Sequence, residues 1–171
     1  MSELLIGCGA SRVKRPRPGG SSQWNGLVTC DMNADHAPDV VHNLEHVPYP
    51  WPSDHFDEVH AYEVMEHLGS QGDFRSFFAQ FQEIWRILKP GGYLVGTSPS
   101  ANSPWLWGDP GHTRAIQPES FAFLDQEVCR KNRADGTAMT DYRFCYSGDL
   151  RRVLWVPDAD GTFFYVLKAV K

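Results

Sequence analysis

The stretch from Arg12 to Gly26 limits the fold more than any other part of the chain, because no helix can run through it. Pro16 and Pro18 remove backbone donors, and Gly19, Gly20 and Gly26 raise the entropy cost of any regular element. The segment is therefore expected to be a loop. Before it stands Leu4-Leu5-Ile6, a short apolar run broken by Gly7-Cys8-Gly9, the pattern of a buried strand ending in a tight turn. After it comes Gly26–Asp31, which reads as a second strand with an acidic end. The first crossover of this chain must be made by irregular backbone.

The remaining pattern extends that sheet. Asp39–His42 reads as a third short strand, Phe56–Tyr62 as a fourth and Tyr93–Thr97 as a fifth. Phe74, Phe77, Phe78, Phe81, Trp85 and Leu88 recur at helical spacing, the stripe of a helix packed on a core. Ser70 with Asp73 resembles a capping box at its start, and Lys89-Pro90-Gly91-Gly92 is expected to stop it. A polar loop covers Ser98 to Gln117, and Pro118–Gln126 suits a short helix. Two strand-like runs, Val153–Val156 and Phe163–Leu167, flank an Asp158–Gly161 turn. These elements predict one α/β domain over residues 1–171: a Rossmann-like, open, mostly parallel sheet with a C-terminal antiparallel hairpin. Ligands of such sheets bind beyond the carboxyl ends of the strands.

The net charge of −5 gives no overall field toward nucleic acid. Arg12, Lys14, Arg15 and Arg17 form one basic group and Arg130, Lys131 and Arg133 another, each expected to sit in a solvated loop or to touch a phosphate. The four cysteines form no C-x-x-C pair, no secretory signal pattern begins the chain, and no apolar run reaches membrane-spanning length. A cytoplasmic protein with reduced thiols and no membrane partner is expected.

Gly7, Cys8 and Gly9 after the first strand let backbone approach a ligand closely. Asp31, 22 residues after Gly9, places a carboxylate where it can accept from both hydroxyls of a ribose. Together they indicate a nucleoside. A dinucleotide fingerprint requires a third glycine, where Arg12 stands, and a helix N-terminus for the pyrophosphate. No G-K-[ST] follows Gly9, which excludes a P-loop. S-adenosylmethionine carries no phosphate and fits this pattern better than NAD.

Leu5-Ile6-Gly7-Cys8-Gly9, Asp31, Phe56-Asp57-Glu58-Val59, Glu66-His67-Leu68 and Leu88-Lys89-Pro90-Gly91-Gly92 together resemble class I S-adenosylmethionine-dependent methyltransferases of the small type 11 kind. The resemblance runs from about residue 3 to residue 100, more weakly through Asp109-Pro110-Gly111-His112. It implies that Gly7, Cys8 and Gly9 line the methionine part of the cofactor and that Asp31 holds its ribose. It further implies Met32 packed on the adenine, Asn43 and Leu44 at the adenine edge, and Tyr62 and Glu63 beneath the methionine end. The chain departs from the family in its missing first helix and N-terminal cap. That departure keeps a second reading open, a non-catalytic nucleoside-binding module completed by a partner. An exposed cofactor site also makes a homodimer plausible.

Glu63, Glu66 and His67 form E-x-x-E-H after the fourth strand, and on a helix they would share one face. His112 arrives from the loop after the fifth strand. Two carboxylates and two imidazoles suit a divalent ion such as Mg²⁺, Mn²⁺ or Zn²⁺, an arrangement similar to metal-dependent O-methyltransferases such as the small-RNA 3′-end and ubiquinone-pathway families. Without a metal, His67 or His112 is the expected general base toward an oxygen or nitrogen acceptor. Arg114 is expected to pair with an acidic substrate group or a neighbouring carboxylate, and Trp105 and Trp107 to wall an apolar substrate or cover the core. Nothing in the pattern identifies the methyl acceptor.

Overall fold

A computed structural model describes all residues, 1–171. Its single sheet has the order β3-β2-β1-β4-β5-β7-β6. β1 (Glu3–Ile6), β2 (Leu27–Asp31), β3 (Val40–Val41), β4 (Phe56–Tyr62) and β5 (Leu88–Pro99) pair in parallel. β6 (Leu150–Pro157) and β7 (Thr162–Ala169) form the C-terminal hairpin, and β7 lies antiparallel against β5. This is the expected Rossmann-like architecture with its antiparallel end. No helix is long and apolar enough to cross a membrane.

Strand register divides the sheet into two unlike faces. Leu4, Val59, Leu94 and Leu167 align across four strands, as do Ile6, Ala61, Gly96 and Tyr165, and pleating sends both rows to the same side. α1 (Phe74–Ile87) supplies Phe78, Phe81, Ile84 and Ile87 to the core cluster these rows belong to. Each such side chain contributes about 1.5–3 kcal/mol by burial. The rows on the opposite side begin with Glu3, Glu58 and Tyr93, followed by Leu5, His60 and Val95. A parallel sheet normally covers both faces with apolar crossovers. Here the second face sets Glu3, Glu58 and His60 among apolar residues, and the helix-free segment from Gly9 to Gly26 lies across it as a strap.

The strap is held by charge. Lys14 Nζ sits 2.9 and 2.8 Å from the two Glu3 carboxylate oxygens, with the lysine side chain only 2% exposed. Arg17 Nε donates to Glu58 at 2.8 Å, and its guanidinium lies 4.1 Å over the Tyr93 ring. Trp24 packs edge-on against His60 at 4.9 Å. Lys14 and Arg17 are thus turned onto the sheet, and Lys14 in particular is neither solvated nor free for a phosphate, whereas the Arg15 side chain stays 45% exposed and reaches toward Asp158. The second basic group lies on α3 (Gln126–Ala134), a helix the sequence pattern did not indicate, where Lys131 and Arg133 in the last turn complement the helix dipole.

Several boundaries differ from the sequence reading. α1 is capped by Asp73, which accepts from Ser76 N–H at 3.1 Å, and not by Ser70. α1 ends at Ile87, directly before Lys89-Pro90-Gly91-Gly92 as expected, but that block lies within the span of β5 as an irregularity: Gly91 has φ +77, and the register jumps from Leu88 opposite Phe56 to Tyr93 opposite Glu58. Pro90 bars Lys89 from the helical region, and a Cβ on Gly92 would stand 2.9 Å from the Asp57 carbonyl of β4. Pro118–Leu124 forms 3₁₀ turns, and within the Ser98–Gln117 loop Trp105–Gly108 forms a single turn, α2.

Candidate functional site

β1 ends at Ile6, and the next three residues turn the backbone over the carboxyl edge of the sheet. Gly7 has φ +55, and a Cβ there would lie 2.6 Å from a Val64 methyl, so only glycine fits. Gly9 has φ +51 with nothing within 4 Å of its missing Cβ, which leaves its outer side open. Cys8 N–H donates to the Cys30 carbonyl at 3.1 Å, and Gly9 N–H donates to Asp31 Oδ2 at 2.8 Å. Asp31 Oδ1 accepts from Asn33 N–H at 2.9 Å. The β2 carboxylate therefore joins the two turns that frame the cleft. Burial alone would raise its pKa, but the Asn33 and Gly9 N–H groups and His36 outweigh burial and hold it below the ordinary range.

Arg12, at the position of the absent third glycine, organises the turn from outside. Its Nη1 reaches the Gly9 carbonyl at 2.7 Å, and its Nη2 reaches the His36 carbonyl at 3.0 Å. Beyond it the strap crosses the carboxyl ends of β1, β4 and β5. Arg15 N–H donates to the Tyr62 hydroxyl at 3.0 Å, and that hydroxyl lies 2.7 Å from His60 Nδ1. A cavity of about 250 Å³ opens beneath, lined among others by Gly7, Cys8, Val13, Arg15, Glu63 and Thr97. Glu63 Oε1 and Thr97 Oγ1 are both buried there, the Glu63 carboxyl lying beside the Thr97 hydroxyl and the Glu66 carboxyl. The strap supplies part of the enclosure that a helix after Gly9 would have given.

Glu63 also has φ +55, an uncommon conformation for a residue with a side chain. It follows β4 directly and leads into a single 3₁₀ turn, Met65–His67, where the E-x-x-E-H pattern had suggested an α-helix. The turn still gathers the acidic and imidazole groups. Glu66 is 0% exposed; its Oε2 accepts from Ser98 Oγ at 3.0 Å, while its Oε1 receives no N–H or hydroxyl donor. Burial, then the adjacent Glu63 carboxylate, pushes Glu66 up to about 8. His67 and His112 meet edge-on with ring centroids 4.6 Å apart. One ligand atom each from Glu66, His67 and His112 lies within 4.8 Å of the others. Glu63 stands outside that trio, next to Glu66.

The other expected residues divide. Met32 is 69% exposed beside Asp31, an apolar face open to a ligand. Leu44 is buried in the core, so its side chain is not at a ligand edge. The Asn43 side-chain oxygen accepts from Glu45 N–H at 2.9 Å and shapes its own turn. Tyr62 lines the cavity but spends its hydroxyl on the strap. Arg114 is buried and finds no carboxylate: it lies 3.4 Å from Gln80 Oε1 and 3.5 Å from the Ser70 and Asp73 carbonyls, bracing the turn before α1. Trp105 and Trp107 stand 65% and 62% exposed on α2. Sequence reasoning missed Arg15, Thr97 and Ser98. The last two sit where strand five ends, and that position was their signal.

Comparison with known proteins agrees with this geometry. A family profile described as a methyltransferase domain matches residues 4–96. The N-methyltransferase NodS from Bradyrhizobium japonicum WM9 is 15% identical with a TM-score of 0.57, covering 99% of this chain and 86% of its own. Its complex with S-adenosyl-L-homocysteine is 16% identical, also at 0.57, covering 99% and 78%. The Haloferax volcanii complex of the Trm112 methyltransferase activator with a putative methyltransferase gives 15% identity and a TM-score of 0.58, covering 99% and 83%. At such identities the likeness is one of fold. No curated protein sequence matches the chain.

Proposed function

The chain belongs to the S-adenosylmethionine-dependent methyltransferase-domain family, and from that premise we propose that it moves a methyl group from this cofactor to an oxygen or nitrogen nucleophile. The observation that carries the reading is the joined cleft: Gly9 bare on its outer side, bonded to Asp31, with Met32 exposed beside it. Asp31 retains lone pairs for a ribose, and Met32 offers a thioether face to an adenine. Gly7, Cys8, Thr97 and Glu63 line the space left for the methionine end. The buried Glu63 carboxyl on the cavity wall suits the cofactor's ammonium group.

When bound, the cofactor supplies a methyl group already activated on a sulfonium, so the protein's task is mainly positioning. The strap limits water above the cavity, and His67 and His112 stand beyond Glu66 as the groups able to take a proton from the acceptor. Calorimetry with S-adenosylhomocysteine tests the reading. Binding at one equivalent by the isolated chain is expected. No binding, restored by a second protein, would instead favour a module completed by a partner.

A further inference from the structure

Two clusters in this fold bring carboxylates and imidazole together, and only one lacks its counter-charge. Glu3, Glu58 and His60 lie within reach of one another under the strap, but Lys14 and Arg17 already neutralise them. Glu66, His67 and His112 have no lysine or arginine among their ion pairs. We propose that these three residues hold a divalent transition-metal ion of the Zn²⁺ type, placed beside the methyl-transfer cleft.

The hydrogen bonds around the imidazoles set their lone pairs. His67 Nδ1 lies 3.0 Å from the Gly111 carbonyl, and His112 Nδ1 lies 3.2 Å from the Leu106 carbonyl. A carbonyl only accepts, so each Nδ1 carries a proton and Nε2 is the ring atom left to face a metal. That is the usual second contact of a metal-bound histidine. The third donor is the buried Glu66 carboxyl, which receives no N–H or hydroxyl donor at Oε1, lies beside the Glu63 carboxyl and is fixed through its other oxygen by Ser98. Two adjacent buried carboxyl groups repel when ionised, and a cation in the trio offsets that repulsion.

The local chain is shaped to permit this approach. Asp109 Oδ1 accepts from Gly111 N–H at 2.7 Å, forming the turn that delivers His112. A Cβ on Gly111 would stand 3.0 Å from His67 Nδ1, so glycine lets the two loops meet. Asp109 Oδ2, 4.0 Å from His112 Nε2, adds negative charge at the rim. Two imidazoles and one carboxylate, with a position left for solvent or substrate, match a catalytic zinc set; Mg²⁺ prefers oxygen donors. His67 is exposed, so the ion has a path to solvent. Its role rests on the methyltransferase reading: an acceptor hydroxyl bound to the ion would lose its proton more readily.

The test titrates Zn²⁺, and separately Mg²⁺, into chelator-treated protein without the methyl donor. One equivalent of Zn²⁺ is expected to bind, with Mg²⁺ much weaker. His112→Ala and the surface variant His67→Asn should each weaken Zn²⁺ by at least about tenfold, the scale of lost metal-site contacts. His55→Ala, at the amino end of β4 and so at the opposite edge of the sheet from the trio, should not. Circular dichroism establishes that each variant is folded; if His112→Ala unfolds, His67→Asn decides. Absence of one-equivalent binding, or equal affinity in His67→Asn, overturns the proposal. S-adenosylhomocysteine affinity measured in chelator tests the methyltransferase reading separately.

Discussion

Asp31→Asn is the most discriminating change in the cofactor cleft. Each oxygen of the native carboxylate faces a backbone donor, Gly9 N–H at 2.8 Å on one side and Asn33 N–H at 2.9 Å on the other. An amide has one oxygen, so in either orientation its NH₂ group must oppose one of these N–H groups. The fold loses a charge-assisted bond and leaves a donor unmet, a cost of about 1.5–3 kcal/mol. Urea denaturation should record it as a lower midpoint with an unchanged slope. The same carboxylate is assigned to the ribose, so S-adenosylhomocysteine affinity should fall by about ten- to a hundredfold when one charged contact is lost. Calorimetry below the variant's transition separates the two effects. Lower stability with unaltered affinity would refute the ribose assignment and leave Asp31 as a loop anchor only.

Three further outcomes follow from the same geometry. Gly7→Ala should reduce stability strongly, because φ +55 is compounded by a 2.6 Å clash with Val64, whereas Gly9→Ala should cost only about 1–2 kcal/mol and yet impair cofactor binding; thermal melts and calorimetry on both check the contrast. Lys14→Met strands the Glu3 carboxylate, 3% exposed, and should cost about 3–5 kcal/mol in denaturant titrations, while adding Glu3→Leu should recover much of it; a double variant no better than the single would discount the ion pair. Burial would raise Asp31, Glu58 and Glu83, but N–H donors, His60, Arg17 and Arg86 outweigh it and hold all three low. Their stabilisation is complete above the unfolded carboxylate range, about pH 4, and is lost as pH falls through the lower folded values, where the unfolded chain binds more protons. Urea midpoints should therefore drop steeply below about pH 4, and a flat profile would contradict these pairings.

Much of this architecture was legible because its signals are local. Phe56–Tyr62 matches β4 at both ends, and the Asp158–Gly161 turn marked the hairpin correctly. Arg12–Gly26 announced a loop through its prolines and glycines, but not where the loop would go. That destination depends on register: Glu3 stands opposite Glu58 only because β1 and β4 pair as they do. One clue was nonetheless present, since Glu58, His60 and Tyr62 alternate with Val59 and Ala61 in the parallel strand. A polar row there asks for a charged cover, and Lys14 and Arg17 are the nearest basic residues able to provide it. α3 escaped notice because it is almost wholly charged and polar, with only Cys129 buried. Its start is set by Asp125, which accepts from Glu127 and Val128 N–H at 2.8 and 3.1 Å.

The strap also explains which nucleosides the cleft can prefer. A phosphate-binding glycine turn works by presenting free N–H groups at the start of a helix. Here the turn opens no helix, Cys8 N–H is spent on Cys30, and Gly9 N–H is spent on Asp31. Arg12, the nearest cation, is committed to the carbonyls of Gly9 and His36. A phosphate entering this turn would meet the Asp31 carboxylate before it met a free donor. A ligand with hydroxyls near Asp31 and an ammonium near Glu63 meets acceptors at both ends. The loss of the first helix thus selects against phosphorylated nucleotides, and S-adenosylmethionine is a nucleoside that tolerates that loss.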